Sequence, residues 1–161
     1  MARPAAAPDF HHIALQTFDL DNSIAWYRDY FGCRPTWATD KFSELTRSRL
    51  PGILRMAEVA LGPANFHLFE REEPAGVTPP TATGIQYQHV CLSVDAPADL
   101  PVWRERWNEL FASGRYVFLR PEAPTEIIVD DMGTHSFYCL DVNGLEFEFT
   151  CLTGSVTGEA P

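Results

Sequence analysis

The sequence predicts an α+β chain of two βαβββ modules, paired so that their strands form a curved mixed sheet around a central cleft. Three observations predict it. A segment starting at His12 returns 77 residues later at His89, and Trp26 of the stretch that follows returns at the same distance as Trp103. Strand-like runs alternating at period two surround each helix-like stretch. One helix covers one face of a sheet, so the opposite face of each is left to curve round something or to meet its twin.

The elements follow in order. Residues 1–9, rich in Ala and Pro, read as a flexible tail without the apolar run of a signal peptide. Residues 10–71 make the first module. In its first strand Ile13 and Leu15 face a packed layer, while His12, Ala14 and Gln16 face the other side. His11 has the opposite phase to His12 and belongs on the helix side or at an edge. A helix follows, with Ile24, Tyr27 and Phe31 on one face, Trp26 and Tyr30 beside them, and Gly32 as its stop. Strands are expected at Thr36–Thr46, Ile53–Leu61 and Asn65–Glu70, divided by Leu50-Pro51-Gly52 and Leu61-Gly62-Pro63.

Residues 72–86, rich in Pro, Thr and Gly, read as a linker. Residues 87–153 repeat the plan. Val90, Leu92 and Val94 face the packed layer, and His89, Cys91 and Ser93 face away from it. The second helix carries Leu100, Trp103, Trp107, Leu110 and Phe111, with Asp99 as N-cap, Pro101 in the first turn and Gly114 as stop. Strands are expected at Tyr116–Leu119, Ser136–Asp141 and Leu145–Leu152, with Glu126–Val129 as a short strand or loop edge. Asn143-Gly144 suits a tight hairpin. Residues 154–161 read as a second tail.

Composition narrows the function. Twelve basic against 22 acidic residues give a net charge of −10, which argues against nucleic acid and anionic membranes as partners. No apolar run is long enough to span a membrane. The four cysteines, Cys33, Cys91, Cys139 and Cys151, are scattered without a CxxC, as in a reduced cytoplasmic protein. A small-molecule substrate in a pocket remains.

The closing strand, Leu145-Glu146-Phe147-Glu148-Phe149, alternates carboxylates with aromatics. Phe147 and Phe149 belong against the helix, so Glu146 and Glu148 point to the cleft or to solvent. An inward carboxylate needs a positive partner. The matching strand of the first half, Asn65-Phe66-His67-Leu68-Phe69, puts His67 on the cleft side, level with Glu148. His12, His67, His89 and Glu148 are therefore expected to converge on a metal. Three imidazoles and a carboxylate suit Fe(II), Mn(II), Co(II), Ni(II) or Zn(II), and not Ca²⁺ or Mg²⁺, which prefer oxygen. Tyr138 is a candidate acid or hydrogen-bond donor to substrate, or an ordinary aromatic of the sheet. His135 is a candidate proton-transfer group, or a plain loop histidine.

These segments resemble the vicinal oxygen chelate superfamily: glyoxalase I, fosfomycin-modifying enzymes, methylmalonyl-CoA epimerase, extradiol dioxygenases and bleomycin-binding proteins. The likeness runs from about Phe10 to Leu152. His12-Ile13-Ala14-Leu15, Asp19 and the run Ser23 to Gly32 resemble its strand-then-helix signature. The run Phe137 to Phe149 resembles its closing Tyr-x-x-Asp-Pro-x-Gly-x-x-x-Glu motif, with Val142 in place of proline. The resemblance implies Glu148, not Glu146, as the ligand beside His12 and His89. It implies a metal that holds two adjacent substrate oxygens, and a homodimer. His67 stands where glyoxalase-like members carry Glu and epimerase-like members tend to carry Gln.

The expected function is a metal-dependent oxygenase or ring-modifying enzyme, with Fe(II) favoured. Its substrate is expected to be an oxygenated aromatic or polyketide-like molecule of the kind found in natural-product biosynthesis. The alternatives are a glyoxalase-type isomerase, epimerase or lyase, and a drug-binding resistance protein without catalysis.

Overall fold

The computed structural model describes residues 10–72 and 85–152. The expected tails 1–9 and 154–161, and most of the expected linker 72–86, lie outside the described residues. The chain divides into two compact units at Pro74/Ala75.

The first unit begins with β1 (His12–Thr17), α1 (Leu20–Phe31) and β2 (Arg34–Thr39). A short α2 (Glu44–Arg49), β3 (Ile53–Leu61) and β4 (Ala64–Arg71) complete it. Its sheet runs β1-β4-β3-β2. β1 pairs parallel with β4, and the other neighbours are antiparallel. α1 starts where Asp19 Oδ1 accepts from the Asn22 amide at 3.0 Å, which satisfies an otherwise unpaired helix donor. It ends at Gly32, whose φ of +75° only glycine adopts freely. The buried face carries Leu20, Ser23, Tyr27, Tyr30 and Phe31, with Trp26 beside them. Tyr27 and Phe31 meet Phe66 of β4 at ring distances of 5.5 and 6.4 Å. Phe66 therefore faces the helix, and its neighbour His67 faces the other way.

The second unit contains β5 (His89–Ser93), α3 (Asp99–Ala112), β6 (Ile128–Val129), β7 (His135–Leu140) and β8 (Glu146–Cys151). Its sheet runs β5-β8-β7-β6, again with the first strand parallel to the last. Trp103 of α3 stacks on Phe149 at 5.2 Å, and Phe149 stacks on Phe137 at 5.1 Å. Trp107 donates its indole N–H to the Leu140 carbonyl at 2.8 Å. Phe147 and Phe149 are buried on this side, so Glu146 and Glu148 alternate onto the opposite face. The chain is thus α+β, two βαβββ modules, each with an unclosed mixed sheet.

Three local expectations differ from what is observed. The strand expected at Thr36–Thr46 stops at Thr39, and Ser43 caps α2 through its Oγ, 3.1 Å from the Thr46 amide. No residue of α2 is buried, so it lacks the apolar face that betrays a helix. Tyr116–Leu119 forms no strand; Phe118 instead packs on Trp107 and Phe111 at 5.2 Å each. Asp99 is the first helical residue rather than the cap, its carboxylate accepting from the Ala96 amide at 3.1 Å.

Candidate functional site

The repeat becomes concrete in the strand registers. Ala14 of β1 lies opposite His67 of β4, and Cys91 of β5 opposite Glu148 of β8. His67 and Glu148 therefore occupy equivalent places. His12 lies opposite Asn65, and His89 opposite Glu146. Each module thus holds a diagonal pair: His12 with His67, and His89 with Glu148.

In the first module the imidazoles of His12 and His67 stack, with centroids 3.7 Å apart and planes 9° apart. His11 Nδ1 is 2.9 Å from His12 Nδ1. The ligating atoms of all three histidines lie within 4.8 Å of one another. Desolvation, then the proximity of His67 and His11, lowers the His12 pKa. That keeps His12 neutral with a free lone pair, the form a metal needs. On the next strand, Glu58 stands directly opposite His67. Its Oε2 accepts from His67 Nε2 at 2.9 Å, and its Oε1 accepts from the Thr36 hydroxyl at 2.6 Å. These bonds, Thr36 first, hold the Glu58 carboxyl below its usual range and keep it ionised although only 8% exposed. A register shift between Pro35 and Trp37 sets Trp37 opposite Glu58. Its ring meets His67 edge-on at 5.2 Å and stays 41% exposed.

In the second module His89 Nε2 is 3.1 Å from Glu148 Oε2, and His89 Nδ1 is 3.9 Å from Glu146 Oε1. Tyr138, opposite Glu148 in register, donates its hydroxyl to Glu148 Oε1 at 3.1 Å. Desolvation, then that carboxylate, raises the Tyr138 pKa, so the phenol stays a donor at neutral pH. Thr125 pins the Tyr138 backbone by two bonds of 2.9 Å, and Arg104 holds the Thr125 carbonyl at 2.9 Å. Cys91 lies on the same face, its thiol pushed up to about 11 by desolvation and by Glu148. Burial likewise raises the Glu146 carboxyl, against the pull of His89.

His12 with His67, and His89 with Glu148 and Tyr138, are therefore brought together within their own modules. His135 is not among them. It starts β7 opposite Cys151 and alternates onto the Phe137 face, away from Tyr138. His11 departs from its expected place, because it precedes β1 and strand alternation does not bind it. Sequence reasoning missed Glu58 and Thr36. The signal was present: Gly62-Pro63 is a two-residue loop, and counting back from Leu61↔Ala64 puts Glu58 against His67.

A model of the Glyoxalase/Bleomycin resistance protein/Dioxygenase superfamily matches residues 9–149. The chain belongs to that superfamily. No curated protein matches it by sequence. Among solved structures, it resembles a glyoxylase/bleomycin resistance protein/dioxygenase domain from Frankia sp. EAN1pec at 18% identity and a TM-score of 0.67, covering 96% of each chain. A lactoylglutathione lyase from Agrobacterium tumefaciens matches at 23% identity and 0.57, covering 98% of this chain and 100% of that one. The fosfomycin resistance protein FosX from Listeria monocytogenes, complexed with Mn(II) and sulfate, matches at 12% and 0.56, covering 95% and 96%. At these identities the likeness establishes the fold.

Superfamily membership raises the question of a divalent metal, and the donors present fit one. His89 Nε2 and Glu148 Oε2, 3.1 Å apart, bring an imidazole and a carboxylate donor to one place. Imidazole and carboxylate donors suit first-row divalent ions. The bond from His67 Nε2 to Glu58 is the kind of carboxylate support that metal-binding histidines generally carry.

Proposed function

We propose that this protein is a metal-dependent enzyme whose ligands are His12, His67, His89 and Glu148, and that it oxygenates or otherwise modifies the ring of an oxygenated aromatic small molecule. The observation that carries the reading is the repeated diagonal pair, a histidine opening the first strand beside a donor on the last strand. A bound ion would act as a Lewis acid on two adjacent substrate oxygens, and iron(II) would add oxygen chemistry. Of the other candidate ions, Mn(II), Ni(II), Co(II) and Zn(II) have the same donor preference.

The remaining work falls to the chain. Tyr138 keeps its proton and presents it at the Glu148 carboxylate, where it can be given to a substrate oxygen. The exposed Trp37 ring beside His67 and the Tyr138 ring, 5.7 Å from His89, favour a planar aromatic substrate through stacking and edge contacts. The protein is read as a cytoplasmic homodimer with no nucleic-acid or membrane partner. Among the described residues no helix is long and apolar enough to cross a membrane.

A second reading, an isomerase, epimerase or lyase, is favoured by the bond from buried Glu58 to His67, since a carboxylate-held imidazole is suited to moving a proton. Oxygen uptake separates the two. Protein loaded anaerobically with Fe(II) is mixed with a panel of catechols and quinols, and oxygen consumption is followed. Uptake matched by product supports the oxygenase. Turnover without oxygen, with solvent deuterium entering next to a carbonyl, supports the second reading. Stoichiometric ligand binding with neither leaves a binding protein.

A further inference from the structure

The ladder position directly across from each last-strand donor carries a group of complementary polarity. Opposite His67, whose ring N–H must donate, stands the acceptor Glu58. Opposite Glu148, whose oxygens must accept, stands the donor Tyr138. Glu58 is itself fixed: Thr36 donates to its other oxygen at 2.6 Å, and its side chain is about as buried as that of His67. We infer that Glu58, held by Thr36, is a positioning residue that locks His67 as the Nε2–H tautomer and leaves the Nδ1 lone pair for the metal. The inference rests on His67 being a ligand.

The polarity is what makes this more than packing. A neutral imidazole carries one donor and one acceptor nitrogen, and a hydrogen bond on one decides the role of the other. With the carboxylate against Nε2, the proton stays there. Without it, the proton is free to move to Nδ1 and block coordination. A carboxylate in place of His67 would meet the opposite difficulty, two anions across one rung of the ladder.

The test uses the full chain in two readouts. Nitrogen-15 spectra of metal-free protein, labelled in histidine, report the His67 tautomer. Titration with Co(II) reports affinity by visible absorption. Wild type is expected as the Nε2–H tautomer. Glu58→Leu is expected to show mixed tautomers and to bind Co(II) about 10- to 100-fold more weakly. Glu58→Gln keeps an acceptor and should fall between them, and Thr36→Val should weaken binding less than Glu58→Leu. His67→Glu should lose Co(II), and His67→Glu with Glu58→Gln should regain at least about tenfold, because the amide supplies the donor a carboxylate wants.

An unchanged tautomer and unchanged affinity in Glu58→Leu would overturn the inference, as would an Nδ1–H tautomer in wild type. If Glu58→Leu fails to fold, Thr36→Val and the double variant decide the same question. Wild type that binds no Co(II) would overturn the proposed function instead, while the tautomer spectra would still decide what Glu58 does.

Discussion

Asp141 opens the turn that sets β7 against β8, and its removal should be costly. The residue is fully buried. One carboxylate oxygen accepts from the Asn143 and Leu145 amides, both at 2.8 Å, and the other accepts from the Asn143 side-chain amide at 3.0 Å. Asp141→Ala leaves three donors without their acceptor, and each buried unpaired group costs about 1–3 kcal/mol. Taking the low end for each gives about 3 kcal/mol. Asp141→Asn keeps one oxygen for the two backbone amides and sacrifices only the third bond, about 1 kcal/mol. With a urea slope of about 2 kcal/mol per molar, the midpoint should fall by about 1.5 M for Ala and about 0.5 M for Asn. Equilibrium unfolding followed by tryptophan fluorescence reads this, with the slope unchanged. If Ala and Asn lose the same amount, or Ala loses less than about 1 kcal/mol, the carboxylate does not organise this turn.

Three further outcomes follow from the same structure. Gly32 and Gly144 share a left-handed φ, +75° and +77°, but a Cβ on Gly32 meets nothing within 4 Å, whereas one on Gly144 would lie 2.9 Å from Arg120 Cδ. Gly32→Ala should cost about 1–2 kcal/mol of backbone strain. Gly144→Ala should cost more, with the excess removed by adding Arg120→Ala; equal costs in chemical unfolding would contradict the clash. Separately, the Cys33 thiol is pushed up to about 12 by burial, and the Cys91 thiol to about 11. Alkylation requires the thiolate, so Cys91, although exposed, should react about a hundredfold more slowly at pH 8 than in urea, and faster once Glu148→Ala removes the neighbouring carboxylate. Because the folded state holds both protons more tightly than the unfolded chain, stability should fall as pH rises from about 9 towards about 12. A flat stability profile over that range would count against it.

Much of this architecture was legible in the chain because repeat spacing and alternation record burial directly. The Glu-Phe-Glu-Phe run declared both faces of β8: Phe147 and Phe149 are buried, and Phe149 stacks on Trp103 of α3. Elements without an apolar face left no such record. α2 is a polar turn of helix held by the Ser43 cap. The Tyr116–Leu119 alternation is mimicked by a loop whose Phe118 seeks Trp107. Glu58 is readable only by counting the register back from the Gly62-Pro63 loop. A single glutamate in a strand carries no periodic signal, and its meaning lies in its rung opposite His67. Trp37 reaches the same row only through the register shift after Pro35, which composition does not announce.

The central claim is that the two diagonal pairs are metal ligands. Elemental analysis of anaerobically purified protein, wild type beside His12→Ala, His67→Ala, His89→Ala and Glu148→Ala, tests it most directly. The account predicts about one divalent ion per wild-type chain, iron if the oxygenase reading holds, with the ion lost from each variant. No metal in wild type after reconstitution, or a full complement retained in Glu148→Ala, would contradict it.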